Sequence, residues 1–90
     1  MSSKFEEDLR HWISTERSTA LKVMKLIDDI RRHPFEGLGK PEPLKHFGGN
    51  VWSRRITQEH RLVYEVTAEG VHLAQCRYHY LSARCSHAGA

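Results

Sequence analysis

The stretch Val51–Val66, VWSRRITQEHRLVYEV, carries the pattern that decides the fold. It contains two runs rich in β-branched and aromatic residues, Val51–Thr57 and Arg61–Val66, separated by the polar residues 58–60. Such runs predict two antiparallel strands joined by a short turn. A third run of the same kind, Val71–Tyr80, follows another polar turn. The sequence therefore predicts three sequential antiparallel strands.

Polarity alternates along these runs. The even-numbered, largely apolar set is Trp52, Ile56, Leu62, Tyr64, Val66, Ala74, Cys76 and Tyr78, and the odd-numbered, polar set is Ser53, Arg55, Arg61, Glu65, Gln75, Arg77 and His79. To keep each set on one face, opposed residue numbers in the first hairpin must sum to an even number, as for Thr57 with Arg61. The connection then holds an odd number of residues. Some residues break the alternation, so both faces are expected to be partly covered. These exceptions are Arg54, Val63, Val71 and Leu73.

The first third of the chain reads as a helical hairpin. A capping box at Ser3 and Glu6 predicts one helix start, Ser18-Thr19 predicts another, and Pro34 ends the second helix. Residues 35–43 are rich in Gly and Pro, which predicts a stiff loop. The predicted buried stripes are Phe5, Leu9, Trp12 and Ile13 in the first helix and Ala20, Val23, Met24, Ile27 and Ile30 in the second.

Composition indicates one small α+β domain. The 90 residues are 39% hydrophobic and 28% charged, and the net charge of +3 weakly favours a polyanionic partner. Cys76 and Cys85 form no CxxC pair and no disulfide framework, which is typical of a reducing cytoplasm. There is no apolar run of membrane-spanning length, and the acidic start does not resemble a signal peptide. We therefore expect a cytoplasmic protein without a membrane partner.

A carboxylate, several cations and an imidazole follow one another along the predicted sheet. Glu42, held between two prolines, could take a proton, His79 could give one, and arginines could stabilise charge on a phosphate. Arg55, Arg61 and Arg77 would share a face, where they repel one another unless an anion lies among them. The alternatives are a solvated polar face, an ordinary loop glutamate and a packed histidine. No HExxH or CxxC spacing occurs, so neither a metal nor another cofactor is expected.

Four motifs in this order resemble one family. They are the helix exit RRHPFEG, then GKPEPLKH, then WSRRIT-x-EHRLVYEV, and last CRYHY. Together they are similar to the YoeB branch of the RelE-type toxins, in the RelE/ParE superfamily of bacterial toxin–antitoxin mRNA interferases. The resemblance covers roughly Phe5–Tyr80 and assigns the toxin domain to residues 1–80. It implies an α+β fold, two helices packed on a twisted antiparallel sheet, the RelE-like microbial RNase fold. The family's first strand is expected to be missing, because Met1-Ser2-Ser3 leads directly into the first helix.

The resemblance also implies an activity and roles for individual residues. Members of this family cleave mRNA in the ribosomal A site, by attack of a 2′-hydroxyl on the adjacent phosphate. Carried over by motif, Glu42 is expected to act as the general base and His79 as the general acid. Arg61 would stabilise the phosphorane, and Tyr80 would orient the RNA or the leaving oxygen. RNA binding is expected for Lys45, Arg55 and Arg77.

The partners implied are the ribosome, its bound mRNA and a YefM-like antitoxin, and a homodimer is a further option. Residues 81–90 form a C-terminal extension that could crowd the site, replace the missing edge strand or lie disordered. Two other functions stay open at this point. One is a catalytically impaired RNA- or antitoxin-binding module on the same scaffold, and the other is a repressor component that binds DNA only with its antitoxin.

Overall fold

Two helices precede a four-stranded antiparallel sheet. The computed structural model describes residues 2–45 and 49–77. The elements are α1 (Ser3–Thr15), α2 (Arg17–Arg32), β1 (Glu42–Pro43), β2 (Val51–Arg55), β3 (Arg61–Thr67) and β4 (Gly70–Gln75). The strands lie in the order β1-β2-β3-β4, each antiparallel to its neighbour. Three strands were predicted, and β1 is an additional strand. It lies in the segment that was predicted to be a loop, where Glu42 pairs with Ser53 of β2.

The pairing of β2 with β3 confirms the predicted strand faces, but the connection between the two strands is longer than predicted. Val51 lies opposite Glu65 and Arg55 lies opposite Arg61, so every opposed pair keeps the even sum. The predicted pairing of Thr57 with Arg61 is wrong, because Arg61 pairs with Arg55, two residues earlier in the sequence. The N–H groups of Ile56 and Thr57 both donate to the carbonyl oxygen of His60, at 3.0 and 3.2 Å, and this turn takes them out of the strand pairing.

A β-bulge explains why the last strand breaks the alternation. Val63 pairs with Gln75, whereas the next residue, Tyr64, pairs with Leu73, which leaves Ala74 as the extra residue. One extra residue reverses the side-chain parity of a strand. Leu73 therefore shares the helix-facing side with Tyr64 and is buried. The predicted placement of Ala74 in the regular apolar set is wrong for the same reason.

Ser2 begins the first helix and also contacts the sheet. Its Oγ accepts a hydrogen bond from the N–H of Phe5 at 3.0 Å, so the cap is Ser2 and not the predicted Ser3. The Ser2 N–H donates to the carbonyl of Leu73 at 2.9 Å, and its Oγ donates to the carbonyl of Ala74 at 2.6 Å. Among the described residues, no strand precedes α1. Ser2 therefore attaches the start of α1 to the carbonyl groups of Leu73 and Ala74 at the open edge of β4.

The core lies between the helices and one face of the sheet. Its buried members are Phe5, Trp12, Ala20, Val23, Leu26, Ile30, Ile56, Leu62, Tyr64, Leu73 and Cys76. Leu9 and Ile27 pack against it and are partly buried. Ile13 and Met24 were predicted to be buried and are 52% and 53% exposed, because each lies one residue, about 100° of helix, beyond a buried neighbour. No helix in the described part of the chain is long and apolar enough to cross a membrane.

Candidate active site

Three of the predicted site residues lie on one face of the sheet. Glu42 is opposite Ser53, which is opposite Val63, and cross-strand partners point to the same side. Arg55 and Arg61 form the next pair on that side, two residues along β2 and β3. This face is opposite the one that packs on the helices. The structure therefore brings Glu42, Arg55 and Arg61 together; the alternation predicts this common face for Arg55 and Arg61, and Glu42 reaches it because the loop joins the sheet as β1.

Glu42 and Arg61 form an ion pair with unequal exposure. Glu42 Oε1 lies 3.8 Å from Arg61 Nη1, and 57% of the glutamate side chain is exposed against 13% of the arginine. The Nε of Arg61 is buried and has no hydrogen-bond partner in the described structure. A buried donor without a partner costs free energy, which an anion would recover by accepting its hydrogen. The pair therefore combines a largely buried cation with an accessible carboxylate.

The backbone on both sides of Glu42 is fixed to β2. The N–H of Arg55 donates to the carbonyl of Gly39 at 2.7 Å, and the N–H of Leu44 donates to the carbonyl of Val51 at the same distance. Gly39 has φ of 79°, and a Cβ there would lie 3.0 Å from the Arg55 carbonyl oxygen. A side chain at position 39 would therefore push the loop off the strand. This close approach sets the position from which Glu42 reaches Arg61.

Arg54 is a buried hub that the sequence reasoning did not identify. It is completely buried on the helix-facing side of β2. Its guanidinium donates to Asp29 Oδ2 at 2.5 Å and to the hydroxyl of Tyr64 at 3.2 Å. The remaining acceptors are the carbonyl oxygens of His33, of Glu36 at 2.8 Å and of Leu38 at 3.1 Å. The only signal in the sequence was an arginine at an even-numbered, apolar position.

The Arg54 hub fixes the loop that leads to Glu42. Asp29 Oδ2 also accepts the N–H of Leu38 at 2.9 Å, and the hydroxyl of Tyr64 donates to the carbonyl of Pro34 at 2.7 Å. The bond from Leu38, followed by the one from Arg54, holds the pKa of the Asp29 carboxyl below its ordinary value. Burial raises the pKa of the Tyr64 hydroxyl, and the hydrogen bond from Arg54 opposes that rise. Both ends of this loop are therefore attached to one charged network.

Two side chains of α1 hold the end of β4. Trp12 Nε1 donates to the carbonyl of Cys76 at 2.7 Å, and Asp8 Oδ2 accepts the N–H of the same residue at 3.1 Å. Asp8 is 1% exposed and is paired with Lys4 at 2.8 Å. Burial, and then the charge of Asp8, raise the pKa of the Cys76 thiol to about 12, which is unlike a nucleophilic cysteine. Helix α1 thus fixes the chain at the residue before Arg77.

Of the other predicted site residues, the structure describes Lys45 and Arg77. Lys45 is exposed just after β1, and Arg77 is half-buried beyond β4, where it borders a surface groove of about 450 Å³ with Trp12 and His60. His79 and Tyr80 fall outside the described residues, so their roles stay predictions. Within residues 2–45 and 49–77, no group of three or more His, Cys, Asp and Glu could hold a metal ion.

Comparison with known proteins decides the family. The sequence model of the family of YoeB-like toxins of bacterial type II toxin–antitoxin systems matches residues 1–80. The chain belongs to the YoeB toxin family. Toxin YoeB of Escherichia coli strain K12 is 55% identical over 74 residues, which cover 82% of this chain and 88% of that protein. The resemblance inferred from the four motifs is thereby confirmed.

Solved YoeB structures share the fold. A YoeB/ParE toxin from Agrobacterium tumefaciens superposes with a TM-score of 0.82 at 44% identity, covering 88% of this chain and 94% of that one. A YoeB chain from the YoeB-YefM complex of Staphylococcus aureus gives a TM-score of 0.78 at 40% identity, covering 88% and 92%. The α+β, RelE-like architecture is therefore confirmed for this YoeB-family chain.

Proposed function

We propose that this toxin is an endoribonuclease that cuts mRNA in the ribosomal A site without a metal ion. The observation that carries the proposal is the contact between the exposed Glu42 and the largely buried side chain of Arg61, with Arg55 beside them. RNA supplies its own nucleophile, the 2′-hydroxyl, so cleavage needs only a base, an acid and stabilisation of the phosphorane.

Glu42 is suited to act as the general base. More than half of its side chain is exposed, so a ribose hydroxyl could approach it. Arg61 is suited to the developing negative charge, because its side chain is only 13% exposed and its buried Nε has no acceptor among the described residues, which a phosphate oxygen would supply. In this proposal a phosphate oxygen takes over donors of Arg61 and frees the Glu42 carboxylate to accept the proton.

The remaining roles rest on the family motifs. His79 would protonate the departing 5′-oxygen, and Tyr80 would orient the RNA or that oxygen. Lys45, Arg55 and Arg77 would bind RNA phosphates. Removal of Glu42 or His79 is then expected to lower turnover, whereas removal of Lys45 is expected to weaken binding and reduce its salt dependence.

The proposed partners are the ribosome with its mRNA and a cognate antitoxin of the YefM type. The S. aureus relative was solved in a YoeB-YefM complex and also as a YoeB dimer, which supports an antitoxin and a homodimer here. The proposed setting is the cytoplasm, where ribosomes and mRNA meet. The antitoxin would keep the toxin inactive until it is removed.

A ribosome-programmed cleavage assay tests the activity. Purified toxin should cut mRNA on ribosomes and leave a 2′,3′-cyclic phosphate on the upstream fragment, with EDTA having no effect. Glu42→Gln should lose most turnover, and Arg61→Ala should lose about 10²- to 10³-fold by analogy with the deletion of an oxyanion donor. Glu69→Gln, at an exposed turn glutamate, is the matched control and should retain full activity.

His79→Ala separates chemistry from binding. This variant should lose turnover while keeping its affinity for ribosomes, because binding depends on charge distributed over several residues. A 5′-phosphate on the downstream fragment, or loss of activity in EDTA, would show that water and a metal perform the cleavage. A wild-type protein that binds ribosomes without cutting would instead support the impaired binding module.

A further inference from the structure

Two buried polar atoms on the candidate active face have no hydrogen-bond partner. They are Ser53 Oγ and Arg61 Nε, and no other described side chain carries such an atom. A buried donor or acceptor that is left unpaired costs free energy, so such groups are rare in folded proteins. Ser53 lies on this face because it is two residues from Arg55 on β2 and is the cross-strand partner of Glu42. Both unpaired atoms of the described residues therefore lie at the candidate site.

The hydroxyl of Ser53 has no structural role in the free protein. The residue is completely buried, whereas the hydroxyls of Ser2, Thr15 and Thr19 each make a hydrogen bond. An alanine would fill nearly the same space without an unpaired polar atom. The hydroxyl therefore indicates a partner that is engaged in another state of the site. Because Ser53 is buried, that partner is a neighbouring side chain and not the RNA itself.

Glu42 is the complementary group. It lies directly opposite Ser53, and the Cβ atoms of such cross-strand partners are about 4.5–5.5 Å apart. Rotation about the side-chain bonds of Glu42 can bring a carboxylate oxygen to the hydroxyl. Among the described residues, the carboxylate contacts one charged group, Arg61 Nη1 at 3.8 Å, which is too long for a hydrogen bond. The carboxylate thus lacks an orienting hydrogen bond, and the hydroxyl lacks an acceptor.

RNA binding would remove the contact that Glu42 makes in the free protein. In the proposed reaction a phosphate oxygen takes over donors of Arg61, and the glutamate side chain, 57% exposed, is then free to rotate. A general base must lie within about 3 Å of the hydroxyl that it deprotonates, so rotation lowers the rate. A hydrogen bond between a hydroxyl and a carboxylate is short and stronger than one between neutral groups. Such a bond would hold one carboxylate oxygen and leave the other for the ribose.

We propose that Ser53 is a positioning residue, whose hydroxyl donates a hydrogen bond to Glu42 when RNA is bound and orients this carboxylate as the general base. The inference rests on the proposed ribonuclease function and adds to it the group that holds the base. The Ser53 hydroxyl keeps its proton throughout and forms no covalent bond. The proton of the 2′-hydroxyl passes to the other oxygen of the Glu42 carboxylate.

Three substitutions in the full-length toxin test the role of the hydroxyl in the ribosome cleavage assay. Ser53→Ala should lower kcat about 10-fold, a part of what a positioned general base contributes. It should leave KM for mRNA-programmed ribosomes unchanged, because the buried hydroxyl does not contact RNA. Ser53→Thr keeps a hydroxyl and should recover most of the lost kcat. Ser14→Ala, at an exposed serine of α1, is the matched control and should cut as the wild type does.

A double-mutant cycle with Glu42 separates positioning from support of the strand. In a Glu42→Ala background the carboxylate is gone, so Ser53→Ala should cause no further loss of the residual single-turnover rate. A residue that only supports the strand would lower the rate by the same factor in both backgrounds. Thermal unfolding accompanies the cycle. Ser53→Ala should have a Tm at or above that of the wild type, because the substitution removes an unpaired buried atom.

The possible outcomes distinguish this inference from the proposed function. Wild-type kcat in Ser53→Ala would overturn the inference and leave the ribonuclease proposal intact. A higher KM at unchanged kcat would make Ser53 a binding group, and equal losses in both backgrounds would make its role structural. Either result overturns the inference. If the wild-type toxin does not cut mRNA on ribosomes, the ribonuclease proposal fails and the role of Ser53 fails with it.

Discussion

Replacement of Arg54 should destabilise the protein more than any surface substitution. In Arg54→Met the side-chain stem keeps much of its volume, while Asp29, the hydroxyl of Tyr64 and three loop carbonyls lose their donor. Breaking a buried ion pair by removing one partner costs about 3–5 kcal/mol. Asp29 is 20% exposed and can recover some hydration, which favours the lower half of that range. A domain of this size has a total stability of about 5–13 kcal/mol, so the loss is a large fraction of it.

Urea unfolding followed by circular dichroism measures this change. Arg55→Met is the control, because it is the same substitution one residue along the same strand, at an exposed side chain. The free energy of unfolding of the control should stay within about 0.5 kcal/mol of the wild type, as for most surface changes. A loss below about 1 kcal/mol in Arg54→Met, or one equal to that of the control, would refute the assignment of Arg54 as the hub that holds the loop.

Four further results are expected. Asp29→Asn should destabilise at neutral pH, and its difference from the wild type should shrink as pH falls below about 4, because a carboxyl with a lowered pKa stabilises above its unfolded pKa and loses that effect on protonation. Asp8→Asn should cost about 1–3 kcal/mol in urea unfolding, since the Cys76 N–H and Lys4 lose a charged acceptor. In a Cys85→Ser variant, the thiol of Cys76 should resist DTNB at pH 8 until the protein unfolds, and rapid labelling would contradict its burial. Leu62→Ala should cost about 2–5 kcal/mol, and a loss below about 1 kcal/mol would mean that the strand faces are reversed.

Much of the candidate site could be predicted because strand parity is a local property. Arg55 and Arg61 both belong to the polar set of their strands, so any register with an even sum, whatever the exact length of the turn, places them on one face. The predicted turn was nevertheless wrong, because the bonds from Ile56 and Thr57 to His60 arise only when the chain bends. The contact of Glu42 with Arg61 could not be predicted from parity, since it requires a loop residue to join the sheet as β1.

The buried residues of the helices were likewise predicted only in part from the sequence. Helical spacing correctly predicted that Phe5 and Trp12 would be buried, but it could not distinguish them from Ile13, which differs by only one residue in position. Asp8 is buried because its carboxylate meets the backbone of Cys76, 68 residues away in the sequence. No local pattern reports such a partner, because a carboxylate ordinarily predicts an exposed position.

The sequence by itself determined the order of the two helices and the three longer strands, the faces of the central strands and the family. These depend on periodicity and on motifs, which are written along the chain. The tertiary structure decided what Arg54 does, which face Leu73 takes after the bulge, and how the unpaired hydroxyl of Ser53 comes to lie opposite Glu42. The physical reason is that a buried charge, a bulge and the pairing of Glu42 with Ser53 depend on contacts between segments separated in sequence. Residue type alone does not specify those contacts.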